Sequence, residues 1–273
     1  MENVRSPQVA GYFYPADPNQ LKSELRVLLD ISKPVKQYDK IFGLVSPHAG
    51  YVYSGKTAAH AYNLLRGKKY KRVVVISPSH SEYFPGVSVY DGDAYATPLG
   101  VIEVDKEFAD KLVENSKNIF KGIEGHRKEH ALEVQLPFLQ MVLDDFKIVP
   151  IVMGDQGKIF VDELAEKLAE AADNETLIVA SSDMSHFHHK SEAYELDSIV
   201  EKRINNFDYE NLMKDLAKHS TEACGGGPIV AMMKAAALKH KNHSEVVHRS
   251  DSSDVTGDEN EVVGYLSAVV YGE

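Results

Sequence analysis

The sequence predicts an α/β domain in which a mostly parallel sheet is covered by helices on both faces. Three observations carry that prediction. Short, β-branched apolar runs such as RVVVISP (72–78) and TLIVASSD (176–183) read as strands buried on both sides. Helical patterns separate them, which is the alternation of an α/β sheet. Several of the strands also end alike, in a Pro or Ser followed by His or Asp, so one edge of the sheet gathers polar chemistry.

Taken in order, Asp17 is placed to cap a first helix, with Pro18 in its first turn and Gln20 positioned to close a capping box. Leu21, Leu25, Leu28 and Leu29 then mark one helical face. IFGLVSP (41–47) is a buried strand ended by proline, and 55–66 is helical. RVVVISP reads as a central strand. Residues 83–104 hold several short strands with turns at Asp91-Gly92 and Pro98-Leu99-Gly100. An amphipathic helix is predicted over 105–117, and a helix over 130–143 that Pro137 kinks or breaks. A strand at 146–154, a helix at 158–173 and the strand at 176–183 follow. Helices are predicted at 191–205, 208–217 and 227–240. Strands at 245–253 and 262–272 close the chain, the last alternating like a half-buried edge or hairpin partner. No linker, repeat or low-complexity tract interrupts the pattern, so residues 1–273 read as a single domain.

Composition narrows the function classes. Hydrophobic residues are 43% and charged residues 26%, the balance of a globular chain able to bury a core without disulfide staples. The formal charge of −11 repels phosphate backbones and argues against nucleic-acid binding. The basic stretch Arg66, Lys68, Lys69, Lys71 and Arg72 reads as a solvated loop. Cys224 is the lone cysteine, so no intrachain disulfide forms. The first residues lack the basic and apolar blocks of a signal peptide, and no apolar run approaches the ~20 residues of a membrane span. The reading is a cytoplasmic protein without a membrane partner.

The chemistry concentrates after three strands. LVSPHAGYVYSG places His48 just past the first, VVVISPSH places His80 past the second, and LIVASSDMSH places Asp183 and His186 past the third. Strand C-termini share one edge in a parallel sheet, so these residues converge. Imidazole and carboxylate serve both metal ligation and proton transfer near neutral pH. A single histidine after a strand is usually a polar loop residue; three like endings are harder to explain that way. His188 and His189 read as surface neighbours, and His60, His219, His240, His243 and His248 fit no constellation. Cys224 precedes a Gly-Gly-Gly-Pro run that opens a helix, where the helix N-terminus favours a thiolate able to ligate or react. Its alternative is that of most free cysteines, a small buried hydrophobe. His130 and Glu133, three apart on the predicted helix, read first as supporting hydrogen-bonding groups. One such motif excludes a di-iron bundle.

The segments GYFYP (11–15), SPHAGYVYSG (46–55), SPSH (77–80), EHALEVQLPF (129–138), SSDMSH (181–186) and CGGGP (224–228) together resemble the Memo-like family, relatives of the class III extradiol ring-cleaving dioxygenases. The resemblance implies a three-layer α/β/α sandwich of extradiol-dioxygenase type with its site at the carboxyl edge of the sheet. It also implies that His48, His80 and Cys224 are metal-binding residues and that Asp183 and His186 stand beside them as catalytic groups. A thiolate replaces the carboxylate of the dioxygenase triad, so ring cleavage does not transfer with the fold. Three functions remain open. The first is a redox or oxygenase-type centre holding iron or copper. The second is a module that docks a peptide or protein in the same crevice, as relatives in animals are described, with Tyr51 and Tyr53 lining it. The third is a zinc-dependent hydrolase. The sequence names neither the small molecule or peptide bound nor the oligomeric state.

Overall fold

A computed structural model describes residues 2–273. Among the described residues the chain runs β1 (Val4–Arg5), α1 (Pro18–Ile31), β2 (Lys40–Ser46), α2 (Tyr51–Tyr62), β3 (Arg72–Pro78), β4 (Val87–Tyr90), β5 (Ala94–Thr97), β6 (Gly100–Glu103), α3 (Lys106–Val113) and β7 (Ile119–Gly122). It continues through α4 (Leu136–Val142), β8 (Lys147–Met153), α5 (Lys158–Ala171), β9 (Thr176–Ser181), β10 (His186–His188), α6 (Lys190–Asn205) and α7 (Tyr209–Ala217). Last come α8 (Gly226–Leu238), β11 (His243–Asp251), α9 (Ser253–Thr256) and β12 (Val262–Gly272).

The large sheet has the order β10-β12-β2-β9-β3-β8-β4-β7, with β11 paired to β12. Its centre, β2-β9-β3-β8, is parallel throughout. The flanks turn antiparallel where β12 meets β2 and β4 meets β8. A small sheet, β1-β5-β6, lies apart. The central strands alternate between two cores. Val73, Val75, Leu177 and Val179 face α1, α2 and α4, while Val74, Ile76, Ile178 and Ala180 face α3 and α5–α8. This is the three-layer α/β arrangement the strand and helix patterns predict.

Local signals account for the element ends that matter. The Asp17 side chain accepts the amides of Asn19 and Gln20, and Leu21, Leu25 and Leu29 bury the α1 stripe. α2 begins at Tyr51, earlier than the predicted 55, so it follows the His48 loop directly. The helix predicted over 105–117 stops at Val113, because Asn115 adopts a left-handed φ of 55° and residues 119–122 join the sheet. The segment 130–143 is helical only from Glu133. A 3-10 turn (Glu133–Gln135) leads into α4, where Pro137 sits in the first turn and its missing N–H costs nothing. β12 is a hairpin partner of β11, as expected, but not a half-buried edge. It lies between β11 and β2, and its residues Tyr265–Val270 are buried. Helices α2 and α6 cover it, and its small residues Gly264, Ser267 and Ala268 imitate an alternating pattern. No helix among the described residues is long and apolar enough to cross a membrane.

Candidate metal centre

The order β2-β9-β3 sets the loops that leave these strands side by side at their carboxyl ends. His48 follows β2, Asp183 follows β9 and His80 follows β3. Cys224 reaches the same place from the turn before α8. The ligand atoms of His48, His80 and Cys224 lie within 4.8 Å of one another. Cys224 Sγ stands 3.1 Å from His48 Nε2, and the two imidazoles meet edge to face with centroids 5.1 Å apart.

Hydrogen-bond accounting fixes which nitrogen each ring offers. Ser181 Oγ spends its single proton on the Ala131 carbonyl (2.6 Å), so it can only accept from its other partners. These are Gln135 Nε2 at 2.8 Å and His48 Nδ1 at 2.9 Å. His48 therefore carries its proton on Nδ1 and turns the Nε2 lone pair toward Cys224. The Glu129 carboxylate does the same for His80, accepting Nδ1–H at 2.9 Å and leaving Nε2 free. Glu129 also accepts the backbone amides of His80, His130 and Ala131. Oε1 faces three N–H donors and Oε2 one, so the carboxylate orients the His80 ring, although its oxygens and the His80 and His130 nitrogens also lie close enough together to hold an ion.

The electrostatics follow from burial. His48 is driven well below its ordinary value by desolvation, helped by the neighbouring His80, His130 and His186. Burial also lowers His80, but Glu129, with a smaller contribution from Asp183, outweighs it and the net shift is upward. His80 is a third exposed and opens the cluster to solvent. Asp183 is pushed up to about 7 by burial, against the His48 amide that its Oδ1 accepts at 2.7 Å. Its Oδ2 lies 3.9 Å from His48 Nε2. His186 is lowered by burial; its amide donates to Glu222, and it lines a groove of about 550 Å³ together with Met184, Met213, Leu216 and Cys224.

Cys224 corrects one expectation. The start of α8 does not stabilise a thiolate in the free protein, because burial, and then the Asp183 carboxylate, push the thiol well above its ordinary value. The thiol instead lies against His48 Nε2, and a bound cation would displace that proton. The three glycines after it are each packed. A Cβ on Gly225 would stand 2.1 Å from the Ser181 carbonyl, one on Gly226 2.5 Å from Leu216, and one on Gly227 2.8 Å from Gln156. Ser182 Oγ, in turn, receives the Gly225 amide at 2.9 Å.

The shared helix face expected of His130 and Glu133 is also corrected, while the supporting hydrogen-bond role expected of Glu133 is present. His130 precedes the 3-10 turn, so the two share no helix face. The Glu133 carboxylate is fully buried against Arg5, Tyr14 and the amides of Gln8 and Val9. His130 alone joins the cluster, stacked on His80 with centroids 4.9 Å apart. The orienting carboxylate is Glu129, which sequence reasoning passed over because it sits in an aperiodic loop; its one signal is its place at the head of EHALEVQLPF. His188 sits between Glu192 and Glu222, His189 caps α6, and His60 stacks on His248 away from these residues.

The donor set fits a transition-metal ion. Two imidazoles with their far nitrogens anchored, plus a thiol, form a soft N/S group suited to iron, copper or zinc. Comparison with known proteins agrees on kinship. A family model described as "Memo-like protein" matches residues 5–269. A "MEMO1 family protein" of Methanosarcina barkeri is 39% identical over 98% of this chain and 100% of its own length. Another, from Methanobrevibacter smithii, is 37% identical over 97% of this chain and 99% of its own. The crystal structure of an uncharacterized Escherichia coli K12 protein superposes with a TM-score of 0.53 at 13% identity, covering 84% of this chain and 99% of that one, a likeness of fold alone.

Proposed function

Because this chain belongs to the Memo-like family, we propose that it is a metal-binding protein with a redox or oxygenase-type role, its iron or copper held by His48, His80 and Cys224. The observation that carries the proposal is the convergence of three ligand atoms within 4.8 Å, with both rings fixed so that a free nitrogen faces the cluster. A bound iron or copper would supply one-electron chemistry and open coordination positions. The chain's own groups do the rest. Glu129 and Ser181 hold the two rings in the ligating tautomer. Asp183, buried with its carboxyl near neutrality, is suited to hold or pass a proton beside His48. His186, partly exposed in the adjoining groove, is suited to exchange one with a bound molecule. The substrate on this reading is a small molecule that enters past His80. Anaerobic purification from the native host followed by metal analysis tests the reading. Iron or copper near one equivalent supports it, whereas zinc alone would favour hydrolysis by a metal-bound water.

A second reading rests on the surface around the cluster. Tyr51, expected to line the crevice, is buried with its hydroxyl on the Val134 carbonyl, but Val52 and Tyr53 after His48, Tyr83 after His80 and Phe187 after His186 are exposed. Phe187 is held at a left-handed φ of 61°, a conformation unfavourable for an aromatic residue. Such a rim suits docking of a peptide or partner protein without chemistry. Partner binding that survives His48→Ala and His80→Ala would favour it.

A further inference from the structure

We propose that Gln156 is a positioning residue for Cys224, setting where the sulfur stands relative to the two histidines; the inference rests on the metal-centre reading above. Gln156 lies just beyond β8, in the loop that leads to α5. Its side-chain amide spans the turn that carries the cysteine. Nε2 donates to the Cys224 carbonyl at 2.7 Å, and Oε1 accepts the Gly227 amide at 2.7 Å. Gly227 permits this approach, since a Cβ there would stand 2.8 Å from Gln156 Cβ. The glutamine is itself held by a local turn in which Asp155 Oδ1 accepts the Gly157 amide at 2.7 Å.

The consequence for the sulfur is direct. Cys224 has a single side-chain torsion, so Sγ is set by the backbone position together with the Asp183 amide, which donates to it at 3.2 Å. That backbone is tied on one side to β9, through the Cys224 amide on the Asp183 carbonyl at 3.2 Å, and on the other to β8 through Gln156. The histidines follow β2 and β3, whereas the cysteine comes from a turn far along the chain. Two tethers, from beyond the ends of β9 and β8 on either side of β3, bring that turn into register with the same sheet edge. A ligand set tolerates little displacement before one donor drops out.

The test uses cobalt(II) as a spectroscopic probe of the whole chain, because a thiolate-to-metal charge-transfer band reports the sulfur itself. Gln156→Ala removes both bonds. Gln156→Glu keeps the length and the acceptor for Gly227 but places a carboxylate oxygen against the Cys224 carbonyl, and it serves if the alanine variant does not fold. In both variants the band should weaken relative to the ligand-field bands, and cobalt affinity should fall about 10–100-fold, the range for loss of a group that orients a ligand. Gln140→Ala, which cuts surface bonds to Thr97 and Gly100, should leave the spectrum unchanged. A wild-type band retained at full intensity in a folded Gln156 variant overturns the inference. Absence of any charge-transfer band in the wild-type protein would instead overturn the thiolate-ligand reading, and this inference with it.

Discussion

Glu129 and Glu133 stand four residues apart, both buried, and the structure assigns them opposite roles. In Glu129→Gln one oxygen becomes an NH2 group. If the remaining oxygen takes the Oε1 position it still accepts His80 Nδ1, His130 N and Ala131 N, but the NH2 then faces the His80 amide that Oε2 accepts at 2.6 Å. In the reverse orientation the NH2 faces the His80 ring instead. Leaving a buried donor against a donor costs about 1–3 kcal/mol of stability. The larger effect is on the ring, which loses the negative partner that fixes its tautomer and raises its basicity. Metal affinity should therefore fall about 10–100-fold. In Glu133→Gln the lost partner is the Arg5 guanidinium, 2.8 Å away with both groups buried. Breaking such a pair costs about 3–5 kcal/mol, because a charge is left uncompensated. The metal-ligand rings are untouched, so affinity should stay close to wild type. Denaturant unfolding and metal titration of the two variants decide the matter. Equal affinities in both variants, or a larger affinity loss in Glu133→Gln, would refute the assignment of Glu129 to His80.

Further outcomes follow from the same geometry. Gly225→Ala must push the Cys224 turn off the end of β9, an overpacking worth about 1–3 kcal/mol, and calorimetry should show that loss together with weakened metal binding; a neutral effect on both would contradict the close approach. Cys224, half-buried in the free protein with its thiol held above its ordinary value, should be alkylated more slowly near pH 7 than in urea, and equally rapid labelling of the folded apoprotein would contradict the environment described. His126 is buried between the Tyr95 hydroxyl and the Ser88 carbonyl, and desolvation lowers it to about 3. Because the folded form resists protonation, its contribution is full above the unfolded value near 6.5 and is lost as pH falls from there toward 3. The span corresponds to a loss on the order of 5 kcal/mol. Urea midpoints between pH 7 and pH 4 should fall less steeply in His126→Gln than in wild type, and parallel slopes would sink the assignment.

The meeting of His48, His80 and Asp183 was legible because a parallel sheet turns strand order into spatial order, whereas Cys224, which follows no strand, was joined to them by the family resemblance. A residue just beyond a strand has few places to go, and the strands themselves were marked by β-branched runs. What local pattern could not show is which side chains meet across long sequence distances. Glu133 was paired with His130 by spacing, yet its carboxylate is claimed by Arg5 and Tyr14, more than a hundred residues earlier. Glu129 and Gln156 sit in loops without periodicity, and their roles depend on backbone amides and a carbonyl that a sequence does not display. The thiol of Cys224 was misjudged for a related reason. The helix start was visible, but the burial that outweighs it comes from the packing of three glycines against β9, α7 and Gln156.

The central claim is that His48, His80 and Cys224 act together on one metal ion. Calorimetric titration of metal into the apoprotein at neutral pH, with His48→Ala, His80→Ala and Cys224→Ala in parallel, tests it most directly. One site should be seen in the wild type, and each variant should lose at least the ~10–100-fold in affinity that removal of even an orienting group causes. Wild-type stoichiometry and affinity in His48→Ala and His80→Ala would contradict it.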